Sequence, residues 1–182
     1  LILTFLPSTP LDRRIWGGNK ASHYGCYEGF KTERWYVNRY ITIGKLFSRL
    51  RQSPSDTMVI PAIGAIGYFS GMNILDYFGL TDSHIARRGQ KAVGQSFIGH
   101  EKTDIDYILS RKPAYLMGYK RFSSRPVSID HPQFNEYYVQ GDPQRLDLLR
   151  DNYEVRNIWV EDRLNGESGY LSFLEIKRRR PA

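Results

Sequence analysis

"DTMVIPAIGAIGYFSGMNILDYFGL", residues 56–80, decides the fold. "TMVI" reads as a short buried strand. "AIGAIGYFSG", punctuated by Gly64, Gly67 and Gly71, reads as a loop with a short helix. "NILDYFG" reads as a second short strand that carries Asp76 at its end. Strand, glycine turn, helix and strand together make one unit of a parallel sheet. The expected class is therefore α/β, a Rossmann-like layered fold whose mixed sheet starts with parallel βαβ units.

Upstream, Tyr36, Tyr40, Ile43, Phe47 and Leu50 recur at steps of 4, 3, 4 and 3, one face of a helix over 32–52. Lys45, Arg49 and Arg51 near its end suit the helix dipole, and Pro54 stops it. Downstream, "KTDIDYILSRKP" reads as a helix with Thr103 as N-cap and Asp106 three residues on, closed by Pro113. "AYLMGY" reads as a third buried strand, and residues 120–135 as a polar loop. Asp142-Pro143 opens another helix, ending near Asn152. "YEVRNIWVED" and "YLSFLEIKR" read as a C-terminal antiparallel hairpin turning at Asn165-Gly166. The organisation is an irregular lead-in over 1–31, then a single α/β domain over 32–182.

Several catalytic patterns do not fit. Gly64, Gly67 and Gly71 space as GxxGxxxG, not as the GxGxxG of a dinucleotide loop. Ser70 in "GYFSG" sits one place late for a nucleophile elbow. His23, His84, His100 and His131 form no HxH or HxxxH pair, and the single Cys26 forms no CxxC, so no metal site is expected. A net charge of +7 favours polyanionic neighbours, anionic lipid headgroups among them. It is dispersed along the chain and densest in the Lys177–Arg180 run. The one basic-aromatic stretch, "YKRFSSR", is too short for a nucleic-acid module, so nucleic acid is not an expected partner.

Two polar stretches remain. "LDYFGLTDSHIARRG", residues 75–89, concentrates Asp76, Asp82, His84 and Arg87. "GHEKTD", residues 99–104, offers His100 and Lys102 just before a helix, where anions are favoured. These six residues are the candidate ligand-binding surface, and no catalytic residue is assigned. Asp76, at a strand end where a ribose-binding acid would stand, is the one support for an alternative: a stand-alone soluble enzyme binding a nucleotide or nucleotide-sugar.

Three blocks in order, "ERWYVNRYITIGKLF", "AIGAIGYFSGMNILDYFGLTDSHIAR" and "GHEKTDIDYILSRKPAYLM", resemble the soluble region that follows the membrane helices of bacterial GT-C-type glycosyltransferases. Those enzymes use polyprenyl-phosphate sugars, as the arabinofuranosyl- and mannosyltransferases of the cell envelope do. The likeness spans roughly residues 33–118. The family's aromatic-Ser-Gly step falls on Tyr68 to Gly71, its "I-D-x-x-G-L-x-D-x-x-I-A" block on Ile74 to Ala86, and its "G-H-x-K" loop on Gly99 to Lys102. The resemblance implies a non-catalytic, extracytoplasmic (periplasmic) domain, since the catalytic acid and the lipid-phosphate donor belong to the membrane part. It implies the chain's own transmembrane module and an envelope glycan acceptor as partners, and no cofactor within these residues. Under this resemblance the apolar "LILTFLP" at the start, which is not preceded by Met, reads as the end of the last membrane helix or a segment just after it.

Overall fold

The computed structural model describes residues 26–91, 100, 102–118 and 121–177. The lead-in up to residue 25, with "LILTFLP" and His23, lies outside the described residues. So do Gly99 and Glu101 of the "GHEK" loop and the end of the basic run from residue 178.

Helix α1 spans Cys26–Leu50, so it opens earlier than the apolar periodicity indicates. No proline interrupts 26–50, and the cost of Gly29, about 1 kcal/mol against Ala, is small for a helix of this length. Strand β1 (Thr57–Ile60), helix α2 (Gly64–Ser70) and strand β2 (Asn73–Asp76) are the expected unit, with β1 and β2 parallel in register Thr57 to Asn73. Then come α3 (Ser83–Arg88), the two-residue strands β3 (Gln90–Lys91) and β4 (Lys102–Thr103), α4 (Ile105–Ser110) and β5 (Tyr115–Leu116). Helix α5 (Pro132–Phe134) runs into a π-helical turn over Asn135–Val139, and α6 spans Pro143–Asn152. Strands β6 (Tyr153–Asp162) and β7 (Glu167–Ile176) form the hairpin, turning through Gly166 at φ 70°.

The five-stranded sheet has the order β2-β1-β5-β7-β6. Its first three strands are parallel, and β7 and β6 run antiparallel. This is the mixed α/β sheet expected, parallel units first and hairpin last. From β1 the chain crosses outward to β2, then back past β1 to β5. Crossovers of one hand in opposite directions put their helices on opposite faces.

The pleat divides the core accordingly. Met58, Ile60, Tyr115, Leu171 and Phe173 face α1 and α2, packing on Ile43, Phe47 and Ile66. Val59, Leu75, Leu116 and Leu174 face the other way, against Ile85 of α3, Ile108 of α4, Tyr138 and Leu149 of α6. Gly44 lets α1 and α2 touch: a β-carbon there would stand 2.8 Å from Phe69 Cβ and 3.0 Å from the Ile66 carbonyl.

Two sequence expectations shift. Asp104, not Thr103, caps α4, because its carboxylate accepts the Tyr107 N–H at 2.9 Å. Thr103 instead pairs with Gln90 in the β3–β4 ribbon. The third buried strand shortens to two residues, since Gly118 lies against the Gln133 carbonyl of α5 and the Tyr138 hydroxyl donates to the Met117 carbonyl at 2.7 Å.

Phe47 is fully buried between Tyr115 and Phe173, at ring-centroid distances of 5.4 and 4.8 Å. Replacing it with Ala should cost about 3–5 kcal/mol, read as a lower urea midpoint with an unchanged slope.

Candidate functional site

The turn after β2 explains the acidic residues of residues 75–89. Asp76 is 1% exposed, and its carboxylate accepts the Phe78 N–H at 3.0 Å and the Thr81 N–H at 2.8 Å. It closes a turn and faces inward. Asp82 is the N-cap of α3, accepting the His84 and Ile85 N–H groups at 2.9 Å each. Its second oxygen accepts the Tyr107 hydroxyl at 3.2 Å.

His84 lies flat on the Tyr107 ring, centroids 3.9 Å apart, and its Nε2 meets Asp104 Oδ2 at 2.9 Å. Two helix caps are therefore clamped through one stacked pair. Burial works to raise the Asp104 carboxyl, but the Tyr107 N–H and the His84 ring outweigh it and hold its pKa below the ordinary value. The Lys102 ammonium donates to the Ala86 carbonyl in the last turn of α3, the favoured end for a cation. His100 sets its ring against Phe78 at 4.6 Å, and Arg87 stands exposed on α3. Asp82, His84 and Lys102 thus gather around α3, Lys102 reaching it from β4. Asp76 and His100 meet through Phe78.

A different constellation forms an open cavity of about 440 Å³, lined by Trp35, Arg39, Arg121, Phe122, Glu167 and Ser168. Arg39 is buried at its floor, 1% exposed, with its guanidinium between Trp35 at 4.5 Å and Phe122 at 3.8 Å. Its Nε donates to Asp162 Oδ2 at 2.9 Å, and a second nitrogen reaches Glu167. Asp162, also buried, accepts the Thr42 hydroxyl at 2.8 Å and the Asn165 amide at 3.0 Å. Trp35 Nε1 donates to Glu167 at 3.0 Å, and Asn165 donates to the Trp35 carbonyl at 2.8 Å.

The far wall depends on Gly169. A β-carbon there would meet Phe122 Cβ at 2.8 Å and the Ser123 carbonyl at 2.9 Å. Its absence lets Ser123 pair with Tyr170 and lays Phe122 over Arg39. The result is a rigid, amphipathic depression. Its two cations, Arg39 and Arg121, are balanced by Asp162 and Glu167. Arg121, Glu167 and Ser168 are exposed at its rim.

Sequence reasoning met Arg121 and Phe122 only within "YKRFSSR" and did not mark the other lining residues as candidates. Trp35 and Arg39 share a helix face by their four-residue spacing. Their partners lie across the chain, with Asp162 123 positions from Arg39, and no local pattern links them. Among the described residues no group of His, Cys, Asp or Glu is arranged to hold a metal ion.

Asp162→Ala should destabilise the fold by about 3–5 kcal/mol, because a buried Arg39 loses its buried partner. Arg163→Ala, from a surface pair 3.6 Å from Glu161, should leave the urea midpoint unchanged. A second expectation concerns acid. Asp104, depressed in the folded state, adds stability that is present above its ordinary pKa of 3.8 and lost as pH falls through the lower folded value. Asp104→Asn keeps a capping acceptor but cannot titrate. Its stability should therefore fall less than wild type's in urea melts taken from neutral pH down past pH 3.8.

No curated protein and no solved structure matches the chain. The model of the family described as "Domain of unknown function (DUF8728)" matches residues 31–174. That span takes in the α/β sheet but for the last two residues of β7, the clamped caps and every residue lining the cavity, and the chain belongs to this family.

Proposed function

We propose that the chain is the non-catalytic, extracytoplasmic domain of a membrane-embedded, lipid-phosphate-sugar-dependent glycosyltransferase, and that its cavity holds part of the acceptor glycan. The observation that carries the glycan reading is the cavity itself. A sugar needs an apolar ring face beside fixed donors and acceptors, in a site without a strong net field. Trp35 and Phe122 supply the apolar surface, Arg121 and Ser168 the exposed donors, and Glu167 an acceptor already held in place by Trp35 and Arg39. Balanced charge favours a neutral sugar over a phosphate or carboxylate.

The ordered likeness to GT-C soluble regions supports the wider setting. Its blocks fall on the elements that build the sheet and the clamped caps, from α1 to β5. Among the described residues no helix is long and apolar enough to cross a membrane, and in this reading the crossing belongs to the parent's transmembrane module. The polyprenyl-phosphate sugar is the parent's donor and has no site in this reading of the domain.

The rival, a soluble nucleotide-binding enzyme, draws on Asp76. That carboxylate is engaged by Phe78 and Thr81 of its own turn.

Titrating the chain with arabinofuranosyl and mannosyl oligosaccharides should shift the amide resonances of the cavity residues in a saturable way. Arg121→Ala should weaken binding about tenfold or more, the worth of one charged hydrogen bond, without changing the urea midpoint. The isolated chain should transfer no sugar from a polyprenyl-phosphate donor. Nucleotides that raise the melting temperature while the oligosaccharides leave the spectrum unmoved would decide for the rival.

A further inference from the structure

The outer face of α2 and of the C-terminal part of α1 carries charge of one sign. From Val37 to Leu50, α1 contains no acidic residue, and α2 contains no charged residue at all. Lys45, Arg49 and Arg51 are all exposed. Lys45 and Arg49 are four residues apart and share the outward face of α1. Lys45 holds its ammonium over the Phe69 ring at 5.8 Å, and Arg51 donates to the Gly71 carbonyl at the end of α2 at 2.7 Å. The three cations therefore flank α2.

On α2 itself Tyr68 is 83% exposed, its ring set edgewise on Phe69 at 5.1 Å. Two acids beside the C-terminal end of α1 are engaged within the fold. Asp56 is buried and accepts the Gln52 and Ser53 N–H groups at 2.9 and 3.1 Å. The Glu175 side chain is 12% exposed, pairs with Arg156 at 3.4 Å and accepts from the Gln52 side chain at 3.3 Å.

We propose that this face rests on an anionic bilayer surface, with Lys45, Arg49 and Arg51 on lipid phosphates and Tyr68 at the headgroup level. An aromatic ring with a polar tip is the side chain suited to that depth. Cations near such a surface each gain about 1 kcal/mol, or about fivefold in partition. Three cations and one tyrosine make a weak, reversible contact, suited to orienting a domain that its parent already tethers. A nucleic acid would share the charge attraction, but its partner surface interleaves aromatics among many cations, and here one ring projects from a three-cation rim. The proposal rests on the reading of the chain as a domain beside a membrane, and its test is independent of sugar binding.

The test is cosedimentation of the chain with vesicles of phosphatidylglycerol and phosphatidylcholine, against vesicles of phosphatidylcholine alone. Binding should require the anionic lipid and weaken as salt rises. Lys45→Glu with Arg49→Glu should lower partition at least about thirtyfold, from about fivefold per lost cation before any repulsion. Tyr68→Ser should lower it without altering its salt dependence. Tyr68→Ser should keep the wild-type urea midpoint, since its side chain is exposed. The Lys45 and Arg49 reversal sets acids at the negative end of the helix dipole and should lower the midpoint only slightly, with the chain still folded in the binding buffer.

Arg87→Glu with Arg88→Glu, on α3 across the sheet, should bind as wild type. Replacing residues 178–180 with serines should leave the loss on Lys45 and Arg49 reversal intact. The proposal is overturned if vesicles do not bind, or if reversal of Lys45 and Arg49 changes nothing. It also fails if the serine replacement alone abolishes binding, or if a DNA fragment, but not the vesicles, binds with the Lys45 and Arg49 dependence. A chain that ignores vesicles yet still responds to oligosaccharides sinks this surface and leaves the glycan reading standing.

Discussion

The buried guanidinium of Arg39 is the constraint on which the rest of the structure hangs. A long helix packed on a sheet by apolar side chains alone can slide or rotate by a turn with modest loss. Arg39 forbids that. It reaches Asp162 at the end of β6 and Glu167 at the start of β7, so only one placement of α1 satisfies the charge. Thr42 and Asn38 repeat the restraint, Thr42 on Asp162 at 2.8 Å and Asn38 on Asn165 at 3.1 Å. Burying such a pair costs desolvation that its attraction only roughly repays. Its return is register: the helix, the hairpin tip and the 121–123 segment are fixed together, and the cavity is the space left between them.

That return explains what was legible in the sequence and what was not. The strand, glycine turn and strand of residues 57–76 carry their own evidence, because alternation, breakers and apolar runs are local. The Asp142-Pro143 helix start and the Asn165-Gly166 turn are local in the same way, and both stand where the pattern puts them. Helix α3 was hidden because six residues show little more than one helical turn of periodicity. The β3–β4 ribbon was hidden because two-residue strands have no alternation to read. Thr103 and Asp104 are both good caps, and the choice between them was made by pairing of Thr103 with Gln90, a contact made in three dimensions.

The candidate residues show the same division. Asp76, Asp82, His84 and Lys102 stood out because polar side chains beside apolar ones look chemical. In the fold, three of them close a turn, cap a helix and meet a helix's last carbonyls, and His84 joins two caps. Short acidic side chains near Gly and Thr are as often the backbone's own partners as a ligand's. The cavity residues are the converse. Trp35 and Arg39 look ordinary on an amphipathic helix, and Glu167 looks ordinary after a turn. Their meeting depends on topology, with more than a hundred residues between the two sides.

One helix joins both proposed surfaces. α1 has 25 residues, about 37 Å at 1.5 Å per residue. Its middle carries Trp35 and Arg39 to the cavity, and its C-terminal part carries Lys45 and Arg49 to the basic face. Residues 35 and 45 are about 15 Å apart along the axis by the same rise. A domain held to a bilayer through the second half of α1 would therefore carry its cavity at a set height and angle above the headgroups. Arg39 ties that helix to the hairpin, so the cavity cannot tilt independently of the face that rests on lipid. The interaction that fixes the fold would thus also fix where an acceptor is held relative to the membrane.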